Sequence, residues 1–206
     1  MTLLRDDLLS GRAIVLASGG RDRPTAGGGR ERAAPAGLGE RMSGLGARVE
    51  YMPPDSSTEE DSAEAWACAR APLHAIVYDA SASFGAGGQD ALQSTVAQAW
   101  LATRAIANGA LIPGEEGGKV LLVAPAPDAG AYARAARAAL ENLTRTLSIE
   151  WARHGITAVT IAPGSDTTAE HLTTLACFLV SPAGDYFSGT RFDLGAADRA
   201  GLIRAS

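Results

Sequence analysis

The 206-residue chain is predicted to be α/β, a doubly wound parallel sheet of about six strands with helices on both faces. Three observations carry this. Short apolar runs recur along the chain, most of them are continuous rather than alternating, and segments with helical spacing lie between them. Continuous apolar runs suit strands covered on both faces, and strand–helix alternation suits a parallel sheet. The length suits one sizeable core and is short for two, so residues 1–206 are read as a single domain.

In chain order, AIVLA (13–17) is the first strand. Residues 19–37, GGRDRPTAGGGRERAAPAG, are rich in glycine, proline and arginine and read as a mobile loop. ARVEYM (47–52) is the second strand. The acidic stretch 53–62, PPDSSTEEDS, opens on two prolines and reads as a linker into a short helix over 60–70. HAIVYDA (74–80) is the third strand, and residues 89–108 form a helix with Trp100, Leu101 and Arg104 near its middle. KVLLVA (119–124) follows as the fourth strand.

In 130–153, Tyr132, Ala136, Leu140, Leu143, Leu147 and Trp151 recur at steps of three and four and predict one apolar stripe. Glu141 and Arg145 sit four apart off that stripe. Gly155 is expected to end this helix in a left-handed conformation. ITAVTIA (156–162) starts at once, and HLTTLACFLV leads to a last strand, TRFDL (190–194). No internal repeat is visible.

Hydrophobic residues make up 46% and charged residues 20%, ordinary globular usage. The net charge of −5 gives no electrostatic footprint for nucleic acid or an anionic membrane. No long apolar run is present, and MTLLRDDLLS carries two aspartates where a signal peptide would be basic, so a soluble, cytoplasmic protein is expected. Cys68 and Cys177 form no C-x-x-C pair and read as small buried hydrophobes, with no metal site. His74, His154 and His171 are scattered and read as surface or packing residues.

The order of strands and helices, and above all "RAALENLTRTLSIEWARHGITAVTIAPG" (137–164), resembles the short-chain dehydrogenase/reductase family, in particular 3-oxoacyl-carrier-protein-reductase-like members. The resemblance covers roughly residues 11–195. It implies a Rossmann-like fold, a nicotinamide cofactor and hydride transfer between that cofactor and an alcohol or carbonyl. The chemistry needs a glycine-rich turn that lets the backbone approach the pyrophosphate at a helix N-terminus. It also needs a tyrosine acidified by a neighbouring lysine, with a serine and an asparagine that orient substrate and proton relay.

Measured against that pattern, the chain departs at each functional position. The cofactor turn should begin at Ser18, but the second half of its glycine pattern falls on Ala33, Ala34 and Pro35, with roughly ten extra residues between the halves. Side chains stand where close backbone approach demands none. Gly27-Gly28-Gly29 is a weak alternative phosphate cradle, in a small-ligand-sensing module. Residues 53–73 leave room for one helix, so one edge strand is expected to be missing, and the family's turn after its fourth strand reads Tyr78-Asp79-Ala80-Ser81.

The resemblance puts the family's catalytic asparagine at Thr95, its serine at Ala124-Pro125, its tyrosine at Ala133 and its lysine at Arg137. Tyr132 and Arg137 lie five apart and point to different sides of a helix, so they cannot replace the pair. Arginine also lacks the compact ammonium that lysine offers. Tyr132 is assigned to the core stripe and Arg137 to solvent or an interface. Residues 165–170 run straight into the next helix, so a lid of about two dozen residues is expected to be absent.

These departures predict a non-catalytic member that holds no cofactor and pairs with a catalytically intact homologue as a heterodimer or heterotetramer, or with itself as a homodimer. The expected interface is formed by segments 89–108, 130–153 and 170–194, including Trp100, Arg104, Arg137, Glu141 and Arg145. The alternative is an active NAD(P)-dependent reductase with a rearranged site built from Tyr78, Asp79, Ser81 or Ser83 at the strand ends.

Overall fold

The computed structural model describes residues 4–18, 37–53, 60–85 and 88–195. Six strands form one parallel sheet: β1 (Ala13–Ser18), β2 (Arg48–Tyr51), β3 (Ala75–Asp79), β4 (Gly118–Val123), β5 (Ile156–Pro163) and β6 (Thr190–Leu194). Their order is β2-β1-β3-β4-β5-β6, so the chain's direction of growth reverses between β1 and β3. In such sheets that reversal opens a crevice at the C-terminal strand ends. Every predicted strand is present. β1 and β3 are buried along their whole length, whereas β2 and β6 are partly exposed and carry charged residues such as Glu50 and Arg191. Charge on an exposed strand edge discourages pairing with another chain. Among the described residues β2 is the outermost strand on its side.

Six α-helices accompany the sheet: α1 (Leu38–Gly44), α2 (Glu60–Cys68), α3 (Ala80–Phe84), α4 (Gln89–Ile106), α5 (Ala133–Glu150) and α6 (Ala169–Val180). Alternate strand residues divide the core in two. Ile14, Leu16, Val77, Leu121 and Ile161 pack with Leu38 and Met42 of α1 and Ala176 and Cys177 of α6. Val15, Ile76, Val120, Leu122 and Ala158 face Ala99, Ala102 and Ile106 of α4 and Leu140 and Leu147 of α5. Both faces are therefore covered, which is why the strand sequences are apolar throughout.

Several local expectations are corrected. Tyr132 is not part of the core stripe: it is the N-cap residue of α5 and 40% exposed. The buried stripe runs instead through Ala133, Ala136, Leu140, Thr144 and Leu147, one residue out of step with the tyrosine. Cys68 is exposed, at the end of α2, whereas Cys177 is buried and its thiol is pushed up to about 11 by burial. Helix α4 runs on through a π-helical turn, Ala107–Leu111, in which Gly109 lies so near α2 that a Cβ there would meet the Glu64 carbonyl oxygen at 2.7 Å. The short helix α3 has no counterpart in the sequence expectation.

His74 is mostly buried: its Nδ1 accepts a hydrogen bond from the Ala13 N–H at 2.9 Å, and burial lowers its pKa. Among the described residues no cluster of side chains could hold a metal ion, and no helix is long and apolar enough to cross a membrane. The loop 19–36, with Gly27, Gly28, Gly29, Ala33 and Pro35, and the linker residues 54–59 lie outside the described residues.

The starts of β4 and β5 meet through two glycines. Gly155 closes the turn after α5 at φ 67, as expected, and Gly117 has φ 75. A Cβ on Gly117 would sit 2.5 Å from the Gly155 carbonyl oxygen. Gly117→Ala is therefore expected to lower the unfolding free energy by about 1–3 kcal/mol in denaturant titrations. Gly44→Ala, in a helix with nothing within 4 Å, is expected to leave it unchanged or raise it by about 0.5 kcal/mol.

Candidate functional site

The C-terminal ends of β1, β3, β4 and β5, together with the start of α5, form the mouth of the sheet. The described part of β1 ends at Ser18, which is 6% exposed. At the end of β3, Asp79 turns the chain into α3: its carboxylate accepts from the Ser81 N–H at 2.9 Å and from the Ser81 hydroxyl at 2.6 Å. A side-chain oxygen at this position satisfies an N–H that the first helical turn cannot. Burial raises the Asp79 pKa, opposed by the bonds from Ser81.

Helix α3 carries Phe84 inward. The ring is 1% exposed and packs on Ala133 and Ala136 of α5, with Ala91, Leu92 and Ala129 around it. Ala133, the position that the resemblance assigns to the catalytic tyrosine, thus forms part of an apolar contact and carries no proton to transfer. Phe84 had no signal in the sequence beyond being a single aromatic residue in the small-residue stretch ASASFGAGG.

Arg137 is not solvated, which corrects one of the two expectations for it. Its side chain is 14% exposed, and one guanidinium nitrogen donates to the Pro125 carbonyl at 2.8 Å and to the Pro163 carbonyl at 2.6 Å. Another nitrogen lies 3.7 Å from the Asp193 carboxylate on β6. Burial lowers the Arg137 pKa and Asp193 opposes that shift. Two of the four positions singled out in the sequence, Pro125 and Arg137, are therefore bonded to each other. Thr95 is wholly buried on α4, and its hydroxyl has no hydrogen-bond partner in the protein.

The strand-end residues Tyr78, Ser81 and Ser83 are also engaged or enclosed. Tyr78 is fully buried, and burial raises its pKa far above the usual phenol value. Its hydroxyl makes no hydrogen bond; Ser83 is near enough to oppose the shift but outside bonding geometry. The Ser83 hydroxyl donates instead to the Ala80 carbonyl at 3.0 Å.

Beyond β5 the chain turns directly into α6 through residues 164–168. The Gly164 N–H donates to the Leu194 carbonyl at 2.7 Å and to the Thr167 hydroxyl at 2.8 Å, and Thr167 in turn donates to Leu194. Thr168 caps α6 by accepting from the His171 N–H at 3.2 Å. No long segment intervenes between β5 and α6.

On the outer faces of α4 and α5, Trp100 is 37% exposed and stacks on Trp151 with ring centroids 6.2 Å apart, while the Arg104 guanidinium lies 5.8 Å from the Trp100 ring. Glu141 is occupied within the chain, 2.6 Å from Arg145 and 2.5 Å from Arg191. Ile149 projects from α5 at 75% exposure.

No protein-family model matches the chain, and no curated protein sequence does. Solved structures do resemble it. A citronellol catabolism dehydrogenase (AtuB) from Pseudomonas aeruginosa PAO1 is 19% identical with a TM-score of 0.69, over 95% of this chain and 98% of that one. A hydroxysteroid dehydrogenase from Escherichia coli is 16% identical with a TM-score of 0.65, over 92% of this chain and 98% of that one. BdcA (YjgI) from E. coli is 17% identical with a TM-score of 0.66, over 91% of this chain and all of that one. The likeness is one of fold: a six-stranded parallel sheet flanked by helices, of the Rossmann type.

The Asp79 shift has a definite sign. A carboxyl whose pKa is raised by folding destabilises the fold as pH climbs through the carboxylate range and the group ionises. Asp79→Asn retains the capping oxygen and cannot ionise. Thermal unfolding between pH 3.5 and pH 7 is expected to show the parent losing ground to this variant as pH rises.

Proposed function

We propose that this chain is a non-catalytic member of the short-chain dehydrogenase/reductase family, a structural or activating subunit that pairs with a catalytically competent homologue in a hetero-oligomeric dehydrogenase or reductase. The observation that carries the proposal lies at the start of α5: Phe84 is packed on Ala133 and Ala136, and Arg137 is held by the Pro125 and Pro163 carbonyls. A proton relay to a substrate oxygen needs a titratable donor within hydrogen-bond reach. Ala133 offers none, and the engaged guanidinium of Arg137 retains its protons at any physiological pH. Ala133 and Arg137 do not fit the proton relay that accompanies hydride transfer, and no cofactor is expected.

Pairing is supported by the exposed apolar groups on the two long helices, Trp100 and Ile149; among the described residues the other exposed large apolar side chains are Tyr51, Tyr132 and Tyr186. Exposed apolar area on a rigid helix face is the usual material of an interface core. A homodimer would use the same face. The net charge of −5 gives no support to nucleic-acid or anionic-membrane partners. The rearranged-site alternative would need Tyr78, Asp79, Ser81 or Ser83 to meet a substrate. Tyr78 is wholly enclosed, and Asp79 and Ser81 are bonded to each other.

Titration with NADH and NADPH, followed by the fluorescence of Trp66, Trp100 and Trp151, is expected to show absent or millimolar binding. Micromolar binding of either would favour the active reductase instead. A complete short-chain reductase encoded near this chain is expected to co-purify with it in a fixed ratio. Ile149→Arg is expected to abolish that complex while changing stability by no more than about 0.5 kcal/mol, since the side chain is 75% exposed. An undisturbed complex would move the interface elsewhere.

A further inference from the structure

At the opposite end of the sheet, where β1, β3, β4 and β5 begin, a cleft of about 290 Å³ is lined by Arg12, His74, Glu116, Lys119 and Asp185. Two further clefts adjoin it, one sharing Arg12 and His74, the other sharing Glu116 and Gly117. The volume is at the small end of the range for ligand pockets.

The charged groups divide into those already satisfied and those that are not. Lys119 Nζ donates to the Ser181 carbonyl at 2.6 Å and lies 2.5 Å from the Asp185 carboxylate, which accounts for both members of that pair. His74 Nδ1 accepts the Ala13 N–H, so the proton of the neutral ring sits on Nε2, the nitrogen that faces Glu116. That separation is 3.9 Å, beyond hydrogen-bonding distance, and the Glu116 side chain is 78% exposed. Among the described residues the Arg12 side chain makes no hydrogen bond and no ion pair. Yet Arg12 is near enough to depress the pKa of both His74 and Lys119. The Arg12 guanidinium and the His74 imidazole line the same cleft, and among the described residues neither the guanidinium nor the Nε2–H has an acceptor within hydrogen-bonding distance, over a wall where Gly117, Gly118 and Gly155 contribute no side chains.

We propose that this cleft binds a small molecule through an anionic oxygen group, a phosphate or a carboxylate, received by the Arg12 guanidinium and the His74 Nε2–H. A planar guanidinium can donate two parallel hydrogen bonds to either group. Glu116, exposed at the rim, competes with the ligand for the His74 Nε2–H. The site is independent of the mouth at the other end of the sheet, and it stands whether or not the chain is catalytic.

Calorimetric titration of the full chain with inorganic phosphate, and separately with acetate, tests the proposal and distinguishes the two groups. Saturable binding of at least one is expected. Arg12→Ala should weaken it roughly tenfold or more, the scale of a charge-assisted hydrogen bond. Glu116→Gln, at an exposed position where folding is not at stake, should strengthen it severalfold, and Arg134→Ala, on the exposed face of α5, should leave it unchanged. Absence of saturable binding by either anion in both the parent and Glu116→Gln would overturn the proposal. So would equal affinity in the parent and Arg12→Ala.

Discussion

The guanidinium of Arg137 joins the ends of two strands and reaches toward a third. Its hydrogen bonds to the Pro125 and Pro163 carbonyls fix the turns that leave β4 and β5, and Asp193 on β6 lies 3.7 Å away. A cation that is mostly buried needs such partners, because desolvation costs it several kcal/mol unless hydrogen bonds compensate. The carbonyls at strand ends in turn need donors, since no further ladder bonds are available to them. The fixed turn after β5 sets the short path through Gly164 and Thr167 into α6, and with it the docking of α6 on one face of the sheet.

Phe84 packs against the start of α5, the helix that carries Arg137. A large side chain at position 133 would compete with that ring for the volume above Ala136; alanine at both positions gives the ring a seat. In this fold the C-terminal mouth is the usual ligand site; here Asp79, Ser81 and Arg137 spend hydrogen bonds within the chain and Phe84 packs on α5, while the Tyr78 and Thr95 hydroxyls are enclosed without partners. The N-terminal end differs: Arg12 and the free N–H of His74 remain unspent there.

Much of the fold was legible in the sequence because burial on both faces writes itself as continuous apolar runs, and AIVLA, HAIVYDA, KVLLVA and ITAVTIA all became central strands. The long helices were equally plain from their spacing. Tyr132 was misplaced because a four-residue step cannot tell the last residue outside a helix from the first inside it. Cys68 was misplaced because the end of α2 turns it outward.

The site was less legible. Arg137 finds its acceptors 12 and 26 positions away in backbone carbonyls, which leave no mark on side-chain pattern. Phe84 is isolated among alanine, serine and glycine, with no periodicity to reveal the short helix that aims it inward.

Active-site groups are commonly held at a cost to stability, and replacing them often strengthens a fold. Groups spent on packing behave in the opposite way. The most direct measurement is therefore the unfolding free energy of Phe84→Ala and Arg137→Met against the parent in denaturant. The account predicts losses of about 3–5 kcal/mol for the ring and at least about 1–2 kcal/mol for the guanidinium, whose removal strands two carbonyls. Unchanged or increased stability in both variants would contradict it.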